Sequence, residues 1–227
     1  MSDTGVEPWL RGALTEVSAV ARGVIHALEL ADEDVTKWCG GLSNAELNAR
    51  PLGLPSLGFQ LRHIARSLDR LLTYAEGAPL SSEQIVALKS EMDEVATRED
   101  LFSEFSEGIR SSMARVRALA LVDPELSRGV GKKQLPTSVG GLLVHVADHT
   151  QRHVGQAVTT AKVVGAMRYR LSGDASVSLI NGAEEEDDCS RDDERYGHEE
   201  EAGAGVSGEG LHPADDPGAC EGAEGSA

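Results

Sequence analysis

Cysteine is scarce in this chain: Cys39 stands alone in the first 170 residues, and Cys189 and Cys220 lie far downstream. Three scattered thiols exclude a disulfide framework and a thiolate zinc site, and they fit a reducing, cytoplasmic setting. Long apolar runs are missing too, with nothing near the ~20 residues of a membrane span. The N-terminal stretch has acids where a signal peptide needs a basic region, so neither export nor membrane attachment is expected. Basic charge is in deficit, 21 Lys and Arg against 38 Asp and Glu, which leaves no basic field for nucleic acid or anionic lipid. Several catalytic signatures are also absent. The residues after His145 and His149 are Val146 and Thr150, so no HExxH glutamate is built in as a general base, which argues against zincin-type peptide hydrolysis. GxSxG, P-loop, GxGxxG and CxxC patterns do not occur, nor do the inward ExxH pairs of di-iron bundles.

What charge there is lies unevenly. Ser172 to Ala227 holds 17 acidic residues against Arg191 and Arg195, a net of −15 out of −17 for the whole chain, and is nearly devoid of Leu, Ile, Val and aromatics. The preceding body is close to neutral. The chain therefore divides into a folded domain over residues 4–170 and an acidic tail, 171–227, with the composition of a disordered segment.

In the body, helical spacing dominates and alternating β patterns are lacking. The first helix is expected from about Ala13 to Cys39, ended by Gly40-Gly41, with a short turn from Ser43 through Leu47. Pro51, Gly53 and Pro55 then break the chain before Ser56, an N-cap for a second helix from Leu57 to about Glu76. Ser81-x-x-Gln84 is a capping-box pattern opening a short connecting helix, and Thr97-x-x-Asp100 opens a third long helix reaching Leu121. Ser127 to Pro136 reads as a loop, and a last long helix runs from Val139 to Ala166. The acidic groups Asp32-Glu33-Asp34 and Glu91-Met92-Asp93-Glu94 read as solvated helix faces. Four long amphipathic helices make an all-α fold, a four-helix bundle.

Histidine supplies the one chemical constellation. His145, His149 and His153 follow one another at intervals of four in the last helix, so His149 and His153 share a face, in the stripe of Val146, Ala157, Thr160 and Val164. Two imidazoles in an apolar interior must be coordinated or hydrogen-bonded, because an unsatisfied buried polar group costs about 1–3 kcal/mol. They can grip one metal ion, or each can bond a neighbouring hydroxyl. His145 is the rival ligand, but a straight helix rarely aims three successive i, i+4 side chains at one ion. A role lining the pocket or orienting the site is assigned to it instead, and the same role is open to Gln156 and Asp69. Ligands in a bundle come from facing helices, and His63 and His26 are the other inward candidates. His63 lies about 120° from the centre of its helix's apolar stripe, in a row with Phe59, Ser67, Arg70 and Tyr74, a position suited to the wall of a wet cavity.

The segments LGFQLRHIARSLDRLLTYAEG and, about 80 residues later, GGLLVHVADHTQRHVGQ resemble the DinB/YfiT-like family over nearly the whole body. The resemblance implies a four-helix bundle in which His63, His149 and His153 bind one divalent metal ion, zinc or nickel before others. Family members include thiol-dependent transferases and isomerases using mycothiol or bacillithiol. The implied activity is a low-molecular-weight-thiol S-transferase acting on an electrophilic substrate, with a water-activating hydrolase or a non-catalytic metal-binding stress-response module as rivals. A homodimer is left open.

Overall fold

The structure is a computed structural model and describes residues 5–92 and 96–171. Among these are six helices: α1 (Ala19–Cys39), α2 (Asn44–Asn48), α3 (Leu57–Ala75), α4 (Ser82–Lys89), α5 (Arg98–Leu119) and α6 (Val139–Leu171). Two short strands, β1 (Ser127–Val130) and β2 (Leu135–Ser138), complete the order between α5 and α6.

Polar side chains start the helices where the sequence pattern places them. Ser43, Ser81 and Thr97 form full capping boxes with Glu46, Gln84 and Asp100, and the Ser56 hydroxyl accepts from the Phe59 amide. Each such cap contributes about 1 kcal/mol by satisfying an otherwise orphaned amide. The helix before them begins later than expected. Leu14 sits at φ 60° and closes a turn in which the Val17 amide donates to its carbonyl. A left-handed leucine cannot lie inside a helix, so α1 starts at Ala19 rather than near Ala13.

The four long helices bury one continuous core. α1 packs on α6 and α5, and α3 packs on the same two, so the helices run around the bundle in the order α1, α6, α3, α5. Ile25 and Leu28 of α1, Leu61, Ile64, Leu68 and Leu72 of α3, Phe105 and Ile109 of α5, and Val146 and Ala157 of α6 are almost wholly buried. Burying each large apolar side chain stabilises the fold by about 1.5–3 kcal/mol. α3 and α5 approach closely at Gly108, where an added Cβ would stand 2.9 Å from the Ala65 Cβ and 3.1 Å from its Cα.

The stretch from Ser127 to Pro136, expected as a loop, belongs instead to an antiparallel hairpin pairing Ser127 with Ser138 and Val130 with Leu135. Gly131 and Gln134, at φ 68° and 50°, turn the chain between its strands. The hairpin has a structural task, since Arg128 donates from Nε to the Ala75 carbonyl at 2.7 Å and so satisfies the C-terminal end of α3. No helix among the described residues is long and apolar enough to cross a membrane. Of the segment 171–227 assigned to the acidic tail, only Leu171, the last residue of α6, lies within the described residues.

Candidate metal centre

α3 and α6 lie side by side, and their contact brings His63 against His149 and His153. One ring nitrogen from each of the three lies within 4.8 Å of the other two, the one such group of His, Cys, Asp or Glu among the described residues. The ring centroids of His63 stand 5.0 Å from His149 and 4.3 Å from His153, and those of His149 and His153 are 4.6 Å apart. All three rings are half-buried. The buried stripe of α6 predicted from its spacing is present, with Val146, Ala157, Thr160 and Val164 all at 6 % exposure or less.

Each imidazole has its Nδ1 turned to an oxygen. His63 Nδ1 lies 2.8 Å from Glu91 Oε2, and His153 Nδ1 lies 2.7 Å from Gln60 Oε1. The Gln60 amide is oriented by its other end, which donates to Gln156 Oε1 at 3.0 Å, so its oxygen accepts from His153. His149 Nδ1 faces Ser67 Oγ at 3.4 Å, and that hydroxyl gives its proton to the Ile64 carbonyl. A carboxylate, an amide oxygen and a hydroxyl whose hydrogen is already spent are all acceptors here. These partners favour hydrogen on Nδ1 and a lone pair on Nε2 in the three rings.

This donor set suits a cation. His63 Nε2 and His149 Nε2 face each other at 3.3 Å, and with both hydrogens on Nδ1 neither can donate to the other. Two imidazoles on a tetrahedral zinc stand about 3.3 Å apart, nitrogen to nitrogen, given zinc–nitrogen bonds of about 2.0–2.1 Å. The electrostatics agree with a neutral, metal-ready site. Burial first, then the nearby His153 and His63, push His149 down to about 3. His153 is pushed down to about 4 by burial, followed by the charges of His63 and Arg152. Burial drives the Glu91 carboxyl up, but hydrogen bonds and charge from His63 and Arg70 outweigh it and hold the group below its usual range.

A family model described as the DinB superfamily matches residues 27–157. The chain belongs to the DinB superfamily. The matched span reaches from within α1 to the middle of α6 and so contains all three histidines of this DinB chain. Neither the comparison with curated proteins nor that with solved structures gives a match.

Not every residue singled out in the DinB sequence joins the cluster. His145 is half-exposed, its ring 5.4 Å from His149 and its Nδ1 4.0 Å from Asp148. Gln156 holds Gln60 and also bonds His153 directly, opposing the burial that lowers that imidazole. Asp69 is not at the centre at all. Its carboxylate takes bonds from Arg115 at 2.7 Å and Gln84 at 2.7 Å, on a cavity of about 670 Å³ between α3, α4 and α5 whose lining includes none of the three histidines. His26 pairs with Glu29 on α1.

Three partners of the histidines are absent from the sequence-level picture. Ser67 shares the His63 row of α3 with nothing in the sequence to mark it as a partner. Gln60 has a readable signal, since it falls three residues after Leu57 and four before Ile64, a polar residue inside an apolar stripe. Glu91 corrects an expectation: it is no solvated helix face but lies just past the end of α4, 5 % exposed, bonded to His63 and, through Oε1, to Arg70 at 2.5 Å.

Proposed function

We propose that this chain is a divalent-metal-dependent enzyme of the thiol S-transferase type, with His63, His149 and His153 as the ligands and zinc or nickel as the metal. The observation that carries the proposal is the convergence of one ring nitrogen from each of His63, His149 and His153 within 4.8 Å of one another, with each Nδ1 turned to an oxygen. Three neutral nitrogens leave coordination positions open, as in catalytic rather than structural sites. A divalent ion bound there would supply charge that holds a substrate thiol as its reactive thiolate. The chain's own residues then orient and shield it: Gln60, Ser67 and Glu91 fix the ring planes, and Phe59, stacked on His63 with centroids 5.4 Å apart, gives that ring an apolar neighbour.

We assign the sulfur to a small molecule, because Cys39 cannot supply it. Cys39, the one cysteine among the described residues, is buried, and burial followed by the charge of Asp34 pushes its thiol up to about 11. Such a thiol is not a nucleophile at neutral pH. We assign the partners as a low-molecular-weight thiol and an electrophile, in the reducing cytoplasm. Cobalt-loaded protein titrated with cysteine, bacillithiol and mycothiol is expected to develop a sulfur-to-metal charge-transfer band. Normal cobalt content without such a band for any of the three would refute thiol binding and favour water activation or a binding module.

A further inference from the structure

Glu91 comes from a part of the chain that supplies no ligand. The connector between α3 and α5, residues 82–92, has no buried residue in its helix α4. Its attachments to α3 include several polar bonds. Gln84 donates to Asp69 and Thr73, and Arg66 of α3 donates to the Ala87 carbonyl at 2.7 Å and to Ser90 Oγ at 2.9 Å. Glu91 ends this series and is the one of these connector residues that is buried. Taking a carboxylate out of water costs several kcal/mol unless its oxygens are paired, and both oxygens are, one on Arg70 and one on His63.

We infer that Glu91 is a positioning residue of the metal centre, and that docking of the connector on α3 is coupled to metal binding through the bond from His63 to Glu91. The inference rests on the metal-centre proposal above. A carboxylate on Nδ1 admits one tautomer only, the one with its lone pair on Nε2, and makes that nitrogen a stronger donor. Arg70 holds the second oxygen and so fixes the direction of the carboxylate. Coupling then follows from reciprocity: if the docked connector strengthens metal binding, bound metal holds the connector in place by the same factor.

The test compares full-length wild type with Glu91→Ala, Glu91→Gln and, as a control on the same segment, the exposed Glu83→Ala. Zinc affinity is measured by competition with a chromophoric chelator, the ligand field from the cobalt spectrum, and hydrogen exchange of residues 82–92 with and without zinc. Glu91→Ala is expected to weaken zinc about 10–100-fold and shift the cobalt bands. Glu91→Gln, whose carbonyl still accepts from His63, should lose less, and Glu83→Ala nothing. Zinc should slow exchange across 82–92 in wild type but not in Glu91→Ala. Far-UV circular dichroism and melting show that the variants are folded, and Glu91→Gln carries the comparison if Glu91→Ala is not. Wild-type zinc affinity and cobalt bands in the folded Glu91 variants would overturn the inference alone, as would exchange unaffected by zinc in wild type. A wild-type protein that binds no divalent ion would overturn the metal centre and this inference together.

Discussion

Gln60→Leu separates the stability of the bundle from its hold on a metal. Gln60 is fully buried, and its amide makes two bonds, accepting from His153 Nδ1–H and donating to Gln156. Leucine removes both and leaves His153 Nδ1 without its partner, at about 1–3 kcal/mol, but places an apolar side chain in the core stripe between Leu57 and Ile64, worth about 1.5–3 kcal/mol. The metal-free protein should therefore melt within a few degrees of wild type. The metal-bound protein should not. Without an acceptor on Nδ1, His153 is free to move its hydrogen to Nε2 and withdraw the lone pair, and losing such an outer partner typically costs about 10–100-fold in affinity. At zinc 100 times the wild-type Kd, wild type gains about 2.7 kcal/mol. A variant bound 100-fold more weakly gains only about 0.4 kcal/mol at the same concentration. At about 2–4 °C per kcal/mol for a domain of this size, wild type should rise by roughly 5–10 °C on zinc addition and the variant by roughly 1–2 °C. Thermal scans with and without zinc measure both numbers. Equal zinc-induced shifts in the two proteins would refute the idea that the Gln60 amide sets the ring state of His153.

The remaining expectations concern the ligands, acid and the tail. His149→Ala and His153→Ala should each lose bound metal by elemental analysis of untagged protein while His145→Ala retains it; full metal content in both of the first two would refute the assignment. His149 and His153, depressed below their ordinary 6.5 to about 3 and about 4, bind fewer protons folded than unfolded. The metal-free protein should therefore lose stability as pH falls below about 6.5, levelling off only near the folded values. Denaturant titrations at pH 7 and pH 5 check this, and a His149→Gln variant with the wild-type pH dependence would contradict it. Removing the chain after Ser172, where 17 acidic residues meet two arginines, should leave the melting temperature nearly unchanged, and a loss of many degrees would show that the tail contributes to the fold.

Periodicity and caps made most of the bundle legible. Ser56, Ser81 and Thr97 mark helix starts by a mechanism confined to four residues, and the structure uses all three. The HxxxH pair of α6 was legible for a similar reason, being a local pattern on one face. His63 was less so, because its angle from the apolar stripe did not decide its direction and only the family resemblance singled it out. The hairpin escaped because Ser-Arg-Gly-Val and Leu-Pro-Thr-Ser show no alternation; their pairing depends on two turn residues at positive φ and on Arg128 reaching α3. Glu91 escaped most completely. An acidic run looks like a solvated surface unless its tertiary partners are known, and those partners, His63 and Arg70, are 28 and 21 residues away.

The meeting of His63 with His149 across 86 residues also sets an order of events in the making of the protein. During synthesis, α1 to α5 emerge with His63 and Glu91 already present but with neither ligand of α6. At about 5–20 residues per second, seconds pass before His149 and His153 follow. No partial chain ending before α6 contains the three-nitrogen set. A metal held by all three nitrogens therefore waits for α6 to join α3, with the 56 residues from Ser172 to Ala227 still to follow it in the chain.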